Sequence, residues 1–365
     1  MLTIGERIRT ARKAATLSLR ALAGKVGVSA QAISKYENNR VTPNSTVLRR
    51  LARATGVRVE FFFRTQEINL SRPAYRKRTT LPKKQQDAIL GQIQEWLERY
   101  LEVETLFPQE TPRFSMPEDL ARDAASMEDI EALAIQLREK WGLGTAPIEN
   151  LMAVLEHQGI KIGLVDGHEK FDAYTYTLAG NVPVIVTKRD LPGDRQRFNI
   201  AHELGHYVLQ TDSEAMANRF AGAFLAPDPA VRRELGARRS TLSVRELHIL
   251  KHKYGLSMQA WIYRAKDLGI LSQSAAARLF RMFSTQGWRR QEPGDPVLSE
   301  VPSHLNQWVY RALAEGLISR TRAAELLGES LAQFMAKDVT MADVASRPSI
   351  REESAYAGHP ARVRH

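Results

Sequence analysis

His202 and His206 stand four residues apart in a run whose other positions are largely apolar: Phe198, Ile200, Ala201, Leu204, Val208 and Leu209. Apolar residues at that spacing predict a helix, and a mostly buried one. On a helix, residues i and i+4 share a face, so both imidazoles point the same way, with Glu203 beside them. Buried polar side chains without partners are costly. Whatever fold forms here must therefore bring partners to two histidines and a carboxylate at one place on one helix.

The run His202-Glu203-Leu204-Gly205-His206 is the H-E-x-x-H pattern. Two imidazoles on one face can hold a single ion, and Zn2+ is the cofactor this spacing predicts. Glu203 then serves as a general base towards water rather than as a ligand. A hydrolytic zinc site needs a third protein ligand. No third histidine follows at the extended H-E-x-x-H-x-x-G-x-x-H spacing, where Leu209 and Asp212 fall instead. A carboxylate from the next helix is the remaining source. Glu214, in its first turn, is the expected ligand, and Asp212 is the alternative. Glu214 also suits a helix N-terminus electrostatically, with or without a metal. Asn218, four residues on, is placed to orient a His or Glu ligand by a hydrogen bond. A donor to the developing oxyanion is expected from among Tyr174, Tyr176, His248 and His252. His248 and His252 are themselves four apart, but beside Lys251 and Lys253 they read as a solvated helix face rather than a second metal pair. The strand 182–187, just before the active helix, is expected to be an edge strand that receives a substrate as an added strand.

Charge divides the chain. Residues 1–78 hold 17 Lys and Arg against four Glu and no Asp, a net of +13, out of +11 for the whole chain. Residues 79–365 therefore carry −2, and a basic module precedes a near-neutral body. Nucleic acid is the default partner of such a module, with an acidic membrane surface second. Hydrophobic residues at 43% and charged residues at 25% exclude wholesale disorder. No apolar run approaches the roughly 18 residues of a membrane span, so no membrane partner is expected. The N-terminus lacks the apolar core of a signal peptide. Cysteine is absent, which removes disulfides and thiolate chemistry. A cytoplasmic location is expected.

Within the basic module, Ser18 caps a helix Leu19–Lys25, Gly27 ends it, and Ser29 caps a second helix Ala30–Asn38. Only Val26-Gly-Val-Ser29 separates them, which is helix-turn-helix spacing. A further helix follows Pro43 and ends at Gly56, and Phe61-Phe-Phe63 is expected to cover the bottom of the bundle. The residues Leu17-Ser-Leu-Arg-Ala-Leu-Ala, Val26-Gly-Val-Ser-Ala-Gln-Ala-Ile-Ser-Lys-Tyr-Glu-Asn38 and Leu48…Leu51-Ala52 resemble the XRE, phage-repressor-like DNA-binding family over about residues 3–63. That resemblance implies double-stranded DNA as partner. It makes Ala30–Asn38 the recognition helix, with Ser29 and Ala30 at its groove end. Gln31 and Lys35 share a face and are the expected base readers. Ser18, Arg20, Asn39 and Arg40 fall where such folds touch phosphates.

Beyond residue 63 the pattern predicts a basic linker over 64–80 and a long amphipathic helix over 81–106. That helix fits either pairing of two protomers or packing on the next domain. Packing is favoured because no strict heptad persists, and a homodimer stays open. Pro108, Pro112 and Pro117 mark a linker. Helices are expected over Ile130–Trp141 and Pro147–Gln158. Strands follow at Ile160–Val165, Ala173–Leu178 and Val182–Thr187, the last two joined at Gly180-Asn181. A helix ends at Leu209 and another runs from Ser213 to Leu225. The expected fold is mainly α: an N-terminal helix-turn-helix bundle, then a zincin-like α+β domain with a small antiparallel sheet, then a helical accessory region. The expected divisions are 1–65, 66–126, 127–270, 271–337 and a flexible tail 338–365.

The residues Arg197-Phe-Asn-Ile-Ala-His-Glu-Leu-Gly-His206, with Glu214, Ala217-Asn218, Phe220-Ala221, Phe224-Leu225 and Pro227, resemble the ImmA/IrrE metallopeptidases. The resemblance covers about residues 128–270 and includes Lys253-Tyr-Gly-Leu-Ser257 and Tyr263-Arg-Ala265. Seven residues separate His206 from Glu214, a shorter connection than in many members. The family implies a gluzincin-like zinc endopeptidase that cleaves a protein, a helix-turn-helix repressor above all, in a stress or mobile-element response. The alternative is a transcription factor whose zinc domain is a non-hydrolytic sensor or an antitoxin-like partner-binding module.

Overall fold

In the computed structural model, which describes residues 2–64, 68, 70–71, 82–120, 124–167 and 171–337, each of the first four helices starts on a side chain that accepts an otherwise unpaired N–H. Thr3 caps α1 (Ile4–Ala14), Ser18 caps α2 (Leu19–Val26), Ser29 caps α3 (Ala30–Glu37) and Asn44 caps α4 (Ser45–Thr55). Their apolar faces meet in a core of Ile8, Leu22, Val26, Ile33, Leu51 and Phe62. Phe61 and Phe62 close it, while Phe63 stays exposed. Glu37 is buried at the end of α3 and accepts both Nε and Nη2 of Arg12, at 2.5 and 2.9 Å, which ties α3 to α1.

The long helix forms as α5 (Lys83–Glu104), and its apolar face is covered within the chain. Its N-terminal half lies on α1. A Cβ at Gly91 would run into Ala14, so only glycine admits this approach, and the buried ion pair Arg7–Glu98 closes the contact. Its C-terminal half lies on the sheet, with Trp96 against Gly163. Of the basic linker expected over 64–80, only residues 64, 68, 70 and 71 are described, and the tail 338–365 lies outside the described residues.

Helices α6 (Met127–Lys140) and α7 (Leu151–His157) lead into strands β1 (Lys161–Val165), β2 (Ala173–Leu178) and β3 (Val182–Lys188). The expected antiparallel sheet is mixed: the order is β1-β3-β2, with β3 antiparallel to β2 and parallel to β1. The short turn at Gly180-Asn181 commits one side of β3 to β2, which leaves only its other side for β1. The expected edge strand is thus the central one. Val184, Ile185 and Val186 are all fully buried, as suits a strand paired on both sides and covered on both faces.

After the sheet, α8 (Gly193–Leu209), α9 (Glu214–Leu225), α10 (Asp228–Leu235), α11 (Val244–Tyr254), α12 (Met258–Asp267) and α13 (Gln273–Thr285) share one core with α6 and α7. Pro227 stands at the N-cap of α10 and Pro229 in its first turn, so α10 follows α9 directly. Leu279 and Phe283 place α13 in that same core, although a separate accessory region was expected from 271. Residues up to Trp308 form one compact unit and those from Val309 a second. Helix α14 (His304–Ala314) precedes α15 (Arg320–Leu326), and in the second unit Phe334 stacks on Tyr310.

Glu156, at the end of α7, is buried and accepts the N–H groups of Ser303 and His304 at 3.0 and 3.2 Å, capping the start of α14. Burial outweighs those two bonds and the nearby Lys161, and raises its pKa to about 7. The folded state then holds this proton more tightly than the unfolded chain does. Its stabilising contribution is full below the ordinary value of 4.5 and is lost as pH rises through 7. His304 titrates the other way: burial lowers it to about 4, so its contribution is lost as pH falls from 6.5 through 4. Glu156→Gln removes only the first effect. In urea unfolding at pH 8 the variant is expected to be more stable than wild type by about 2–3 kcal/mol, with the gap closing by pH 5. A gap that is the same at both pH values contradicts this.

Candidate metal centre and nucleic-acid face

Helix α8 carries His202, Glu203 and His206 along the wall between α9 and β2. Gly205 sets how closely α9 approaches, since a Cβ there would meet the Phe220 ring at 3.0 Å. That closeness brings the first turn of α9, capped by Ser213, over the two histidines. The Nε2 atoms of His202 and His206 face each other at 3.0 Å. Glu214 completes the group, its Oε2 at 3.1 Å from His202 Nε2 and its Oε1 at 3.7 Å from His206 Nε2. Among the described residues this is the one His/Asp/Glu group with ligand atoms all within 4.8 Å of one another, and Asp212 is not in it.

The outward ring nitrogens fix the tautomers. His202 Nδ1–H donates to Asn218 Oδ1 at 2.9 Å, and His206 Nδ1–H donates to the carbonyl of Thr211 at 2.7 Å. Both Nε2 lone pairs are thereby turned towards each other and towards a carboxylate. Two acceptor nitrogens and an acid at this separation fit a cation. Burial, opposed by Glu203, holds the His202 imidazole below its ordinary pKa and so in the neutral form that can act as a ligand. Glu214 is 72% exposed, so the group opens to solvent on that side.

Glu203 stands apart from the three. It is 4% exposed, and Thr175 Oγ1 donates to its Oε2 at 2.7 Å. Thr175 is not among the residues that the sequence motifs single out. The signal was the alternation of β2, which sends Ala173 and Thr175 to one face of the sheet and Tyr174 and Tyr176 to the other. Those two tyrosines join the cluster of Ile89, Ile93 and Leu97 on α5, away from His202, His206 and Glu214. The other expected oxyanion donors sit on α11, where His252 Nε2 bonds the carbonyl of Asp295 and His248 packs on Gly294.

The far end of α9 is anchored by buried cations. Arg138, its pKa lowered by burial to about 10, donates to the carbonyls of Phe224, Gly144 and Ala146. Arg264 donates to the carbonyl of Ala226 and pairs with Glu131 through both nitrogens, at 2.9 and 2.7 Å. These guanidinium groups satisfy carbonyls that a helix end leaves unpaired.

On the N-terminal bundle, Arg20, Gln31, Lys35 and Arg40 are exposed, and Ala30 is half-buried. Ser18 and Ser29 spend their hydroxyls as caps for Ala21 and Ala32. Asn39, with φ of 56°, accepts from Gly5 N–H at 2.9 Å and donates to Thr3 Oγ1 at 2.7 Å, so its side chain fastens the start of α1. Among the described residues no helix is long and apolar enough to cross a membrane.

Residues 8–62 match the helix-turn-helix family model, and residues 155–266 match the model of the IrrE N-terminal-like domain. Comparison with curated proteins finds no match. Among solved structures, the crystal structure of ComR from Streptococcus suis aligns with 94% of this chain and 97% of that one, at 11% identity and a TM-score of 0.16, too weak a similarity to inform the fold. The chain joins an XRE-type helix-turn-helix DNA-binding module to a peptidase-family domain of the ImmA/IrrE type.

Proposed function

We propose that this chain is a cytoplasmic DNA-binding regulator whose second domain is a zinc-dependent endopeptidase acting on a protein, with a helix-turn-helix repressor in a stress or mobile-element response as the expected substrate. His202, His206 and Glu214 are the metal ligands, and Asn218 orients His202. Bound there, zinc supplies a Lewis acid that polarises a peptide carbonyl and lowers the pKa of water towards neutrality. Glu203 takes a proton from the attacking water and returns it to the leaving amine. Thr175 keeps its carboxylate aimed, and the carbonyl of Thr211 keeps His206 turned inward.

The observation that carries this reading is the separate placement of Glu203. A metal held only for structure or sensing needs its ligands, but not a buried carboxylate oriented beside them by a dedicated hydroxyl. The test is to map new protein termini in host cells expressing wild type or Glu203→Gln, with and without DNA damage or another stress. Products from a repressor protein are expected with wild type only. Identical termini under every condition sink the peptidase reading and leave a zinc-dependent sensor or antitoxin-like module.

Recognition of DNA falls to α3. Gln31→Ala is expected to relax preference at one base pair, by about 1–3 kcal/mol of discrimination, and Arg40→Ala to weaken binding to all duplexes alike. Selection from randomised duplexes followed by anisotropy titrations separates the two effects. A Gln31→Ala protein with an unchanged sequence preference removes it as a base reader.

A further inference from the structure

At Ser18, a groove of about 490 Å³ runs between the N-terminal bundle and the first turn of α5. Lys13, Thr16 and Ser18 form one wall, and Lys83, Lys84 and Asp87 the other. Arg12 also reaches the groove, but its guanidinium is held by Glu37 and by the carbonyl of Leu17. Lys83 shares its charge with Asp87 at 3.0 Å. Lys13 and Lys84 are both exposed, and Asp87 is the one acid lining the groove. The groove is therefore cationic, and Ser18, one of the expected phosphate contacts of the bundle, is part of its wall. Its walls are fixed relative to each other, since α1 and α5 are locked by Gly91 on Ala14 and by Arg7 with Glu98.

We infer that this groove takes a backbone phosphate of duplex DNA flanking the bases read by α3, with Lys13 and Lys84 as its contacts. The DNA-binding surface then extends beyond the helix-turn-helix module onto α5, the helix that carries that module on the sheet of the second domain. The inference rests on DNA binding by the module. Contacts of this kind carry no sequence information and act through charge, so they add to affinity for every duplex and steepen its salt dependence.

The test uses the full-length protein and a labelled random-sequence duplex of about 30 base pairs, titrated across a range of KCl concentrations. Each of Lys84→Gln and Lys13→Gln is expected to lower the slope of log K against log salt by about one, and the double variant by about two. Affinity at low salt should fall several-fold. Lys140→Gln, an equal loss of charge on α6, should leave the slope unchanged. A slope unaltered by Lys84→Gln and Lys13→Gln, or equally altered by Lys140→Gln, overturns the inference while leaving DNA binding in place. A wild-type protein that binds no duplex at low salt removes the DNA-binding reading itself.

Discussion

Replacing Glu203 by Gln is expected to slow peptide-bond cleavage by about 10²–10⁴-fold while zinc content stays near that of wild type. Gln keeps the shape of Glu, and its carbonyl oxygen can still accept from Thr175 Oγ1. The three proposed ligand side chains are untouched. What is lost is a group that can take a proton from water. His206→Ala should behave differently, because it deletes one of the facing Nε2 atoms and releases the carbonyl of Thr211. That protein should lose its zinc along with its activity. Metal analysis after gel filtration, paired with cleavage of the substrate found by terminus mapping, tells the two apart. If Glu203→Gln loses zinc as His206→Ala does, Glu203 is a ligand and the proposed division of roles is wrong.

Arg264→Met should destabilise the domain by about 3–5 kcal/mol, the range for removing one partner from a buried pair. Glu131 receives Arg264 through two nitrogens, Arg219 at 3.2 Å and the Asp228 N–H at 3.1 Å. Without Arg264, its carboxylate keeps only part of that compensation, and Arg264 no longer donates to the carbonyl of Ala226. Glu131→Gln in the same chain should recover part of the loss, because the buried charge is then gone. Urea unfolding measures both. A loss below about 1 kcal/mol for Arg264→Met would mean that the pair contributes no more than a surface one. Since α9 begins at Glu214 and ends at this anchor, zinc affinity should fall together with stability.

The parts of the fold visible in the sequence are those set by neighbours along the chain. Serines before apolar periodicity located the caps of α2, α3 and α9, and the i, i+4 spacing placed His202 and His206 on one face. Glu214 and Asn218 followed from the next helix, because both share its first turns. Interactions between distant segments left little trace. Thr175 reaches Glu203 across 28 residues, and a threonine in a strand is too ordinary to single out. The carbonyl of Thr211 is backbone, which any residue supplies. The parallel pairing of β1 with β3 depends on which side of β3 the hairpin leaves open. Yet the unbroken run Val182-Pro-Val-Ile-Val186 was a legible sign that β3 lies in the middle of the sheet. The tyrosines of β2 face α5 and not α8, and the alternation of that strand tells this only once the helix covering each face is known. The position of Asn39 in the chain suggests a phosphate contact and says nothing of its role inside the bundle. Its left-handed backbone and its bonds to Gly5 and Thr3 are tertiary facts.

The seating of α1 on α5, and of α5 on the sheet through Trp96, means that the helix-turn-helix module is not carried on a tether. A protein so built, seated on a duplex, would point its candidate metal centre along one bearing about the DNA axis. B-form DNA turns once in about 10–10.5 base pairs, so each added base pair rotates that bearing by roughly 35°. Insertion of about five base pairs between this protein's site and that of a neighbouring DNA-bound protein would swing the centre to the opposite side of the duplex. Helical phase, and not only distance along the DNA, would then govern which neighbours come within reach.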